Sequence, residues 1–440
     1  MKFYAILLLT ILFSSPSFSQ NAPALKELKD SPDEIEGYDN SEFKEWLKDF
    51  KEKAHKKYKI SEKTLNEAFK DIKYSPKVIK SDRKQPEFMK TFWKYSDSAL
   101  KPERIANGRI MLKKYKTLLK NVEEKYGVPK EIILAFWGLE TYYGTIMGKH
   151  NIIQALTTLA FDPRRSDFFT NELIEALRIL DAGHMKLYQM TGSWAGAFGN
   201  FQFLPSTFKR YAVDGDNDGK INLSANIIDA MHSAGNYLSK MGWNKKIRWG
   251  RPVLIDKTNK KAWTYVNSNE YKPLSFFRSL GVKKLNGELV ANSDINASLI
   301  APQGVEGPTF VVYDNFKYIM NWNASTNYAL SVGLLSDAII TNTVPLFDRP
   351  ENWDKIQTIT TNQIKEIQEK LKSLDIYDAK ISGIYGKKTM KAIKKYQQML
   401  LDGDEEVSPK GIEITTYKSG NPIIPDGYPS VDLYKQMFGK

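Results

Sequence analysis

The sequence predicts a mainly α protein of the α+β class, with a small β element late in a helical body and a short helical unit after it. Three observations carry this. Apolar residues recur at helical spacing through most of the chain, as in "SEFKEWLKDFKEKAHKKY" and "RIANGRIMLKKYKTLLKNVEEKYG". Between about 252 and 313 the texture changes to short runs, "PVLID", "AWTYV" and "PTFVVYD", bounded by Gly, Asn and Pro, which read as strands. Helical signal returns in "NYALSVGLLSDAI", after which "TVPLFDRPENWD" supplies a Pro-rich break.

The expected organisation follows the chain. Lys2, the apolar run Phe3 to Phe13 and the small residues Ser17 and Ser19 read as a secretory signal peptide over 1–19, cleaved near Gln20. An uncleaved anchor helix is the alternative, although the run is short for a membrane span and no later segment offers one. Residues 20–40 are a flexible lead-in, 41–345 the main domain, 346–356 a linker, and 357–440 a unit of two or three helices. At 440 residues, 42% hydrophobic and 26% charged, the chain has the composition of a globular protein. The absence of cysteine excludes disulfides, thiol chemistry and lipid attachment at a cleavage-site cysteine. A net charge of +13 favours polyanionic partners. Export and the even spread of lysines argue against nucleic acid and for an acidic cell-envelope polymer, with a merely solvated basic surface as the alternative.

One carboxylate stands out. In "ILAFWGLETYYG", residues 133–144, Glu140 interrupts a run that otherwise reads as buried helix. Pro129 suits a first helical turn and Glu131 complements the dipole there, so the helix is expected to run to about Gly144. Steps of three, four and seven back from Glu140 reach Trp137, Phe136 and Ile133, so the carboxylate shares a face with large apolar residues. Desolvation and the negative helix end both raise its expected pKa, which suits a proton donor to a glycosidic oxygen. A glutamate bonded into a core network fits the same pattern, and spacing alone leaves Asp162 and Asp167 open as further acids.

Resemblance separates these readings. The segments "YGVPKEIILAFWGLETYYGTIMGKHNIIQALTTLAFDPRRSDFF", "GSWAGAFGNFQFLPSTFKRYAVDGDNDGKINL" and "GVEGPTFVVYDNFKYIMNWNASTNYALSVGLLSDAI" resemble, in order and spacing, the membrane-bound lytic murein transglycosylase B family over about 85–340. The resemblance implies a lysozyme-like helical catalytic domain in which Glu140 is the single acid/base. It implies cleavage of the β-1,4 bond between N-acetylmuramic acid and N-acetylglucosamine, with a 1,6-anhydromuramyl product and no catalytic cofactor. Ser193 and Gln202 match cleft residues that hold the N-acetyl sugar and orient the glutamate. Arg164 and Arg165 match residues suited to the carboxylates of the wall. Tyr237, Trp322, Asn323 and Tyr328 match the cleft, where aromatic faces stack on sugars and Asn fixes an acetamido group. The family often has tyrosine at position 322.

In "DGDNDGKINL", Asp214, Asp216, Asp218 and Gly219 stand at positions 1, 3, 5 and 6 of the EF-hand pattern, with Lys220 offering a backbone carbonyl at 7. Position 12 is Ala225 where the pattern has Glu. By the resemblance Asp229, at the start of the next helix, closes the site with one residue inserted. A structural Ca2+ is expected there, a metal-free Asx-rich turn being the alternative.

His55, His150, His184 and His232 show no metal-ligand spacing, and there is no GxSxG. "NQIKEIQEKLKSLDIYDAKISGIYGKKTMKAIKKYQQ", with the later "PDGYPS", resembles the three-helix peptidoglycan-binding domain, Gly383, Gly386 and Thr389 matching its turn and helix start. Residues 402–424 read as an inserted loop, and Ser382 replaces the usual aspartate. The combined reading is an exported, soluble, periplasmic wall enzyme, a monomer acting on peptidoglycan strands and meeting other wall enzymes. A muramidase cutting the same bond with water, or a non-catalytic wall-binding protein, is the alternative.

Overall fold

Short polar side chains start many of the helices. Ser61, Asn151, Asn226, Ser325 and Ser430 each accept a backbone N–H from the first turn that follows, in helices Glu62–Phe69, Ile152–Phe161, Ile227–Met241, Thr326–Thr341 and Val431–Phe438. The structure, a computed structural model, describes residues 40–84, 91–345, 347, 359–408 and 412–439. The expected signal peptide, the lead-in up to residue 39 and nearly all of the 346–356 linker lie outside them. Among the described residues no helix is long and apolar enough to cross a membrane.

The chain divides into two compact units, one carrying described residues 40–84 and 106–243, the other 91–105 and 244–439. The stretch expected as one domain is shared between them, and the C-terminal helices belong to the second.

The first unit is helical. Helix Ile152–Phe161 packs on Ser166–Asp181, and Lys116–Tyr126 packs on Ile227–Met241. The helix Lys130–Thr141 runs through the core: every residue from Ile132 to Gly138 is buried, and only in its last turn do Leu139 and Glu140 become partly exposed. An all-round apolar helix must be covered on all sides, so the expected one-sided face is an all-round one. Two short antiparallel strands, β1 (His150–Asn151) and β2 (Thr191–Gly192), join the chain after this helix to the start of the Gly-rich segment.

The second unit holds an antiparallel sheet of β3 (Gly250–Leu254), β4 (Lys272–Pro273), β5 (Lys283–Lys284), β6 (Asn296–Ile300) and β7 (Thr309–Tyr313), in the order β4-β6-β7-β3-β5. "PVLID" and "PTFVVYD" supply β3 and β7. "AWTYV" is not a strand: Lys260–Trp263 is a helical turn capped by Asn259, whose Oδ1 accepts the Ala262 N–H at 3.0 Å, while Trp263 Nε1 donates to the Asp256 carbonyl at 3.0 Å. These local bonds outweigh the strand preference of the aromatic residues. The central strand beside β7 is instead "NASLI".

The C-terminal module has three helices, Thr361–Ser373, Lys387–Asp402 and Val431–Phe438, around Ile367, Ile393, Leu400 and Leu433. Buried Gln368 fixes the "SGIYG" turn. Its Oε1 accepts the N–H groups of Ser382 and Gly383, both at 2.9 Å, and its Nε2 donates to Thr389 Oγ1 at 2.9 Å. Gly383 is left-handed (φ 72°), which a glycine adopts without steric cost.

Candidate active site

Glu140 sits one residue before a break. The helix ends at Thr141, not near Gly144, because Tyr142 (φ 50°), Tyr143 (φ 60°) and Gly144 (φ 84°) are all left-handed. Such a conformation costs a non-glycine residue about 1–2 kcal/mol. Here it is over-determined. The N–H groups of Tyr142 and Tyr143 both reach the Trp137 carbonyl, the latter at 3.2 Å, and Ile146 N–H reaches the Thr141 carbonyl at 2.8 Å. Thr141 Oγ1 accepts the Gly144 N–H at 3.0 Å and donates to the Asn200 carbonyl at 2.8 Å. The Tyr143 ring closes over Gly138, where an added Cβ would lie 2.7 Å from it. Gly138 is thus what lets the turn fold back on its own helix.

The Gly-rich segment forms a tight loop. Ser193 N–H bonds to the Ala197 carbonyl at 2.7 Å and its Oγ accepts the Ala197 N–H at 3.0 Å. Phe198 and Phe203 exchange backbone bonds of 3.0 and 2.9 Å. Half-buried Gln202, left-handed at φ 48°, donates its Nε2 to the Met147 carbonyl at 3.1 Å, in the segment just after the glutamate helix. Asn200, absent from the sequence reading, bonds to that helix as well, through Trp137 Nε1 at 2.9 Å. In the sequence Asn200, like Gln202, is an amide set among Gly and Phe.

The two other carboxylates considered differ in their surroundings. Asp162 is buried, pairs with Arg83 at 2.8 Å and accepts the Arg164 N–H at 3.0 Å, while Asp167 is exposed in the first turn of Ser166–Asp181. Arg164 and Arg165 both bind the buried carboxylate of Asp82, Arg164 at 2.6 Å, and Arg83 joins them at 2.9 Å. Three guanidinium groups therefore share Asp82 and Asp162. Burial lowers the Arg165 pKa, with Asp82 opposing, and its guanidinium lies 4.8 Å from the centre of the Phe169 ring. Glu172, also missed from sequence, is buried with its pKa raised by desolvation; it accepts the Ser206 N–H and hydroxyl at 2.9 and 2.6 Å, capping helix Pro205–Tyr211.

Tyr237 is only 1% exposed, its ring against Tyr211 and Phe203 with centroids 4.8 and 6.0 Å apart. In the second unit, Trp322 and Tyr328 are buried, and Asn323 ends helix Asp314–Trp322 with its Oδ1 accepting the Ser325 N–H at 3.0 Å.

In the acidic loop, carboxylate oxygens of Asp214, Asp216 and Asp229 lie within 4.8 Å of one another. Asp229 is held by the N–H groups of Gly215 at 2.7 Å and Asn222 at 2.8 Å, and Asn226 Nδ2 donates to Asp216 at 2.9 Å. Burial pushes the Asp229 carboxyl above the usual aspartate range, those two backbone donors oppose it, and the charges of Asp216 and Asp214 add to the rise. An oxygen-only set under mutual repulsion fits a hard divalent cation. Asp218 and Lys220 line the same open hollow of about 410 Å3 but lie outside the triad; the Lys220 N–H bonds to Asp218 at 2.8 Å.

A core helix that ends in a partly exposed glutamate, braced by a left-handed turn, is the arrangement of a lysozyme-like glycan-cleaving enzyme. The chain belongs to the family described as Transglycosylase SLT domain, matched over residues 42–337; residues 360–400 match the "Putative peptidoglycan binding domain". It is 33% identical over 248 residues to membrane-bound lytic murein transglycosylase B of Escherichia coli (strain K12), a match taking in 56% of this chain and 66% of that relative. It resembles Pseudomonas aeruginosa SltB3, crystallised with NAG-anhNAM-pentapeptide, at 34% identity and a TM-score of 0.77, covering 90% of this chain and 99% of that one. E. coli Slt35, solved in complex with calcium, matches at 29% identity and a TM-score of 0.57, covering 67% and 93%.

Proposed function

We propose that this protein cleaves the β-1,4 MurNAc–GlcNAc bond of peptidoglycan to a 1,6-anhydromuramyl end, with Glu140 as its single acid/base. The observation that carries this is Glu140 itself, partly exposed at the braced end of a core helix inside the family-matched region. The Glu140 carboxylic acid gives its proton to the leaving O4 of GlcNAc as the C1–O bond breaks. The substrate's own acetamido oxygen stabilises the electron-poor C1. The carboxylate then takes the proton of the muramyl 6-hydroxyl as that oxygen bonds to C1, so no water is consumed. Ser193, Gln202, Arg164, Arg165, Tyr237, Trp322, Asn323 and Tyr328 are proposed, by family matching, to hold or frame the glycan. The C-terminal module is proposed to bind wall strands, and the protein to act after export. Mass analysis of digested wall tests the reaction: products lacking one water are expected, and free reducing ends would instead mark a muramidase.

The acidic loop is proposed to hold a structural calcium ion through Asp214, Asp216 and Asp229. Calcium at a hundredfold excess over its Kd is expected to stabilise the protein by about 2.7 kcal/mol, and chelator to reverse this. The effect has a pH sign. With its folded pKa raised, Asp229 favours the cation-free fold at low pH, and that contribution is lost as pH rises through the folded value. A cation needs the ionised form and offsets this loss. The calcium-induced rise in melting temperature should therefore be larger near pH 7 than near pH 4.5; a melting temperature indifferent to calcium and chelator at both would remove the ion.

A further inference from the structure

We propose that Asn200 is a positioning residue for Glu140, locking the last turn of the glutamate helix to the end of the acidic loop. Asn200 is 5% exposed, and its backbone and side chain are both engaged. Its N–H and its Nδ2 both donate to the Leu223 carbonyl at 2.9 Å, and Nδ2 also donates to the Ser224 carbonyl at 3.2 Å. Its Oδ1 accepts Trp137 Nε1–H at 2.9 Å, and its carbonyl accepts Thr141 Oγ1–H at 2.8 Å.

The two helix contacts bracket the glutamate. Trp137 lies three residues before Glu140 and Thr141 one after, so bonds at both fix the rotation and the height of the turn that carries the carboxylate. The Thr141 hydroxyl passes the constraint on to the left-handed turn through the Gly144 N–H. Space is equally constrained: a Cβ at Gly144 would lie 2.7 Å from Asn200 Oδ1. On the other side, Leu223 and Ser224 follow Asn222, whose N–H is held by Asp229 at 2.8 Å and whose Oδ1 accepts the Ser224 and Ala225 N–H groups at 3.2 and 2.9 Å. One amide thus joins the helix end, the Gly-rich loop and the exit of the acidic loop.

No other residue type meets this set of demands. The position needs an acceptor toward the indole and donors toward two carbonyls on one short side chain; the Asn amide has an oxygen acceptor and two N–H donors on separate atoms, whereas a Ser or Thr hydroxyl has one hydrogen to give. Aspartate would keep the acceptor and place a negative charge against the carbonyls. Alanine would leave the buried indole N–H without its acceptor and remove the side-chain donor to the Leu223 and Ser224 carbonyls, the former keeping only the backbone N–H of residue 200, which loosens the turn instead of moving it to one new place.

This role rests on the reading of Glu140 as acid/base, and the experiment keeps the two apart. Initial rates are measured on soluble, uncrosslinked peptidoglycan strands for wild type, Asn200→Ala, Trp137→Phe, Thr141→Val, the double variant Asn200→Ala with Trp137→Phe, and Glu140→Gln. Misplacing a catalytic group by about 1 Å costs on the order of 100-fold, so Asn200→Ala is expected to lower kcat by about 30- to 100-fold with KM within about threefold. Trp137→Phe and Thr141→Val, each removing one donor, are expected to lower kcat by about 5- to 10-fold, and Trp137→Phe to have no further effect in the Asn200→Ala background. Wild-type kcat in Asn200→Ala, a loss carried by KM, or independent multiplication of the two effects would overturn the proposal. Should Asn200→Ala fail to fold by circular dichroism, the kcat and KM of Trp137→Phe and Thr141→Val decide it alone, unchanged kcat in both overturning it. An active Glu140→Gln overturns the acid/base reading; an inactive one beside a fully active Asn200→Ala overturns only the positioning role.

Discussion

Glu140→Gln is expected to lower the release of anhydromuropeptides by about three orders of magnitude, on the order of 4 kcal/mol in the activation barrier, while wall binding and melting temperature stay near wild type. The amide is isosteric and is tolerated at a half-exposed helix end. It cannot give a proton to the leaving oxygen, nor take one from the 6-hydroxyl, so both halves of the reaction fail together. In the same unit Asp162 is committed to Arg83 and to the Arg164 N–H and buried Glu172 caps a helix through Ser206, while Asp167 is exposed in the first turn of Ser166–Asp181. Chromatography of wall digests measures the outcome, and a variant retaining more than about a tenth of wild-type rate would remove Glu140 from its assigned role.

What the sequence revealed about this site divides by the range of the interactions. Ile133, Phe136 and Trp137 are buried as the helical spacing requires, because periodicity reports a local property. The end of the helix was not legible, since Tyr142 and Tyr143 occupy a conformation their residue type disfavours and are held there by Trp137, Thr141 and Asn200. Tertiary bonds override propensity at such places, and strained turns of this kind gather at functional sites. The same applies to charge. Arg164 and Arg165 read as cations available to a substrate, yet both meet Asp82, about 80 residues earlier. Asp229 was reached by matching a family pattern, and its carboxylate lies within 4.8 Å of those of Asp214 and Asp216. "AWTYV" shows the converse error, where composition suggested a strand and Asn259, just upstream, caps a helical turn.

Asp426→Ala is expected to destabilise the second unit by about 3–5 kcal/mol, since it takes the acceptor from several donors at about 1–3 kcal/mol each. Asp426, 5% exposed, accepts N–H groups from Val305 at 2.9 Å and Tyr428 at 2.8 Å, and Gln397 Nε2 at 3.1 Å. Burial raises its pKa while these donors and Lys394 oppose the rise. Lys394 is itself pushed down to about 8 by burial, against the pull of Asp426 and Glu270, and donates to the carbonyls of Trp263, Thr264 and Val266. The motif that closes the C-terminal module is thereby fastened to the sheet. Asn267 Nδ2 bonds to the Asp426 carbonyl at 2.8 Å, Gln303 Nε2 to the Tyr428 hydroxyl at 3.1 Å, and Ile424 packs into the core beneath the sheet. Alanine at 426 takes the acceptor from three donors, the Val305 and Tyr428 N–H groups and Gln397 Nε2, and removes a carboxylate whose charge favours the protonated form of Lys394. For a unit of about 200 residues, 3–5 kcal/mol corresponds to a fall in melting temperature of roughly 10 °C. Because one carboxylate fastens both parts, calorimetry should also show the module and the sheet melting together in wild type and apart in the variant. Lys394→Met added to Asp426→Ala should recover part of the loss, since it removes the charge left unpaired. A double variant no more stable than Asp426→Ala alone would assign the effect to the lost backbone bonds instead.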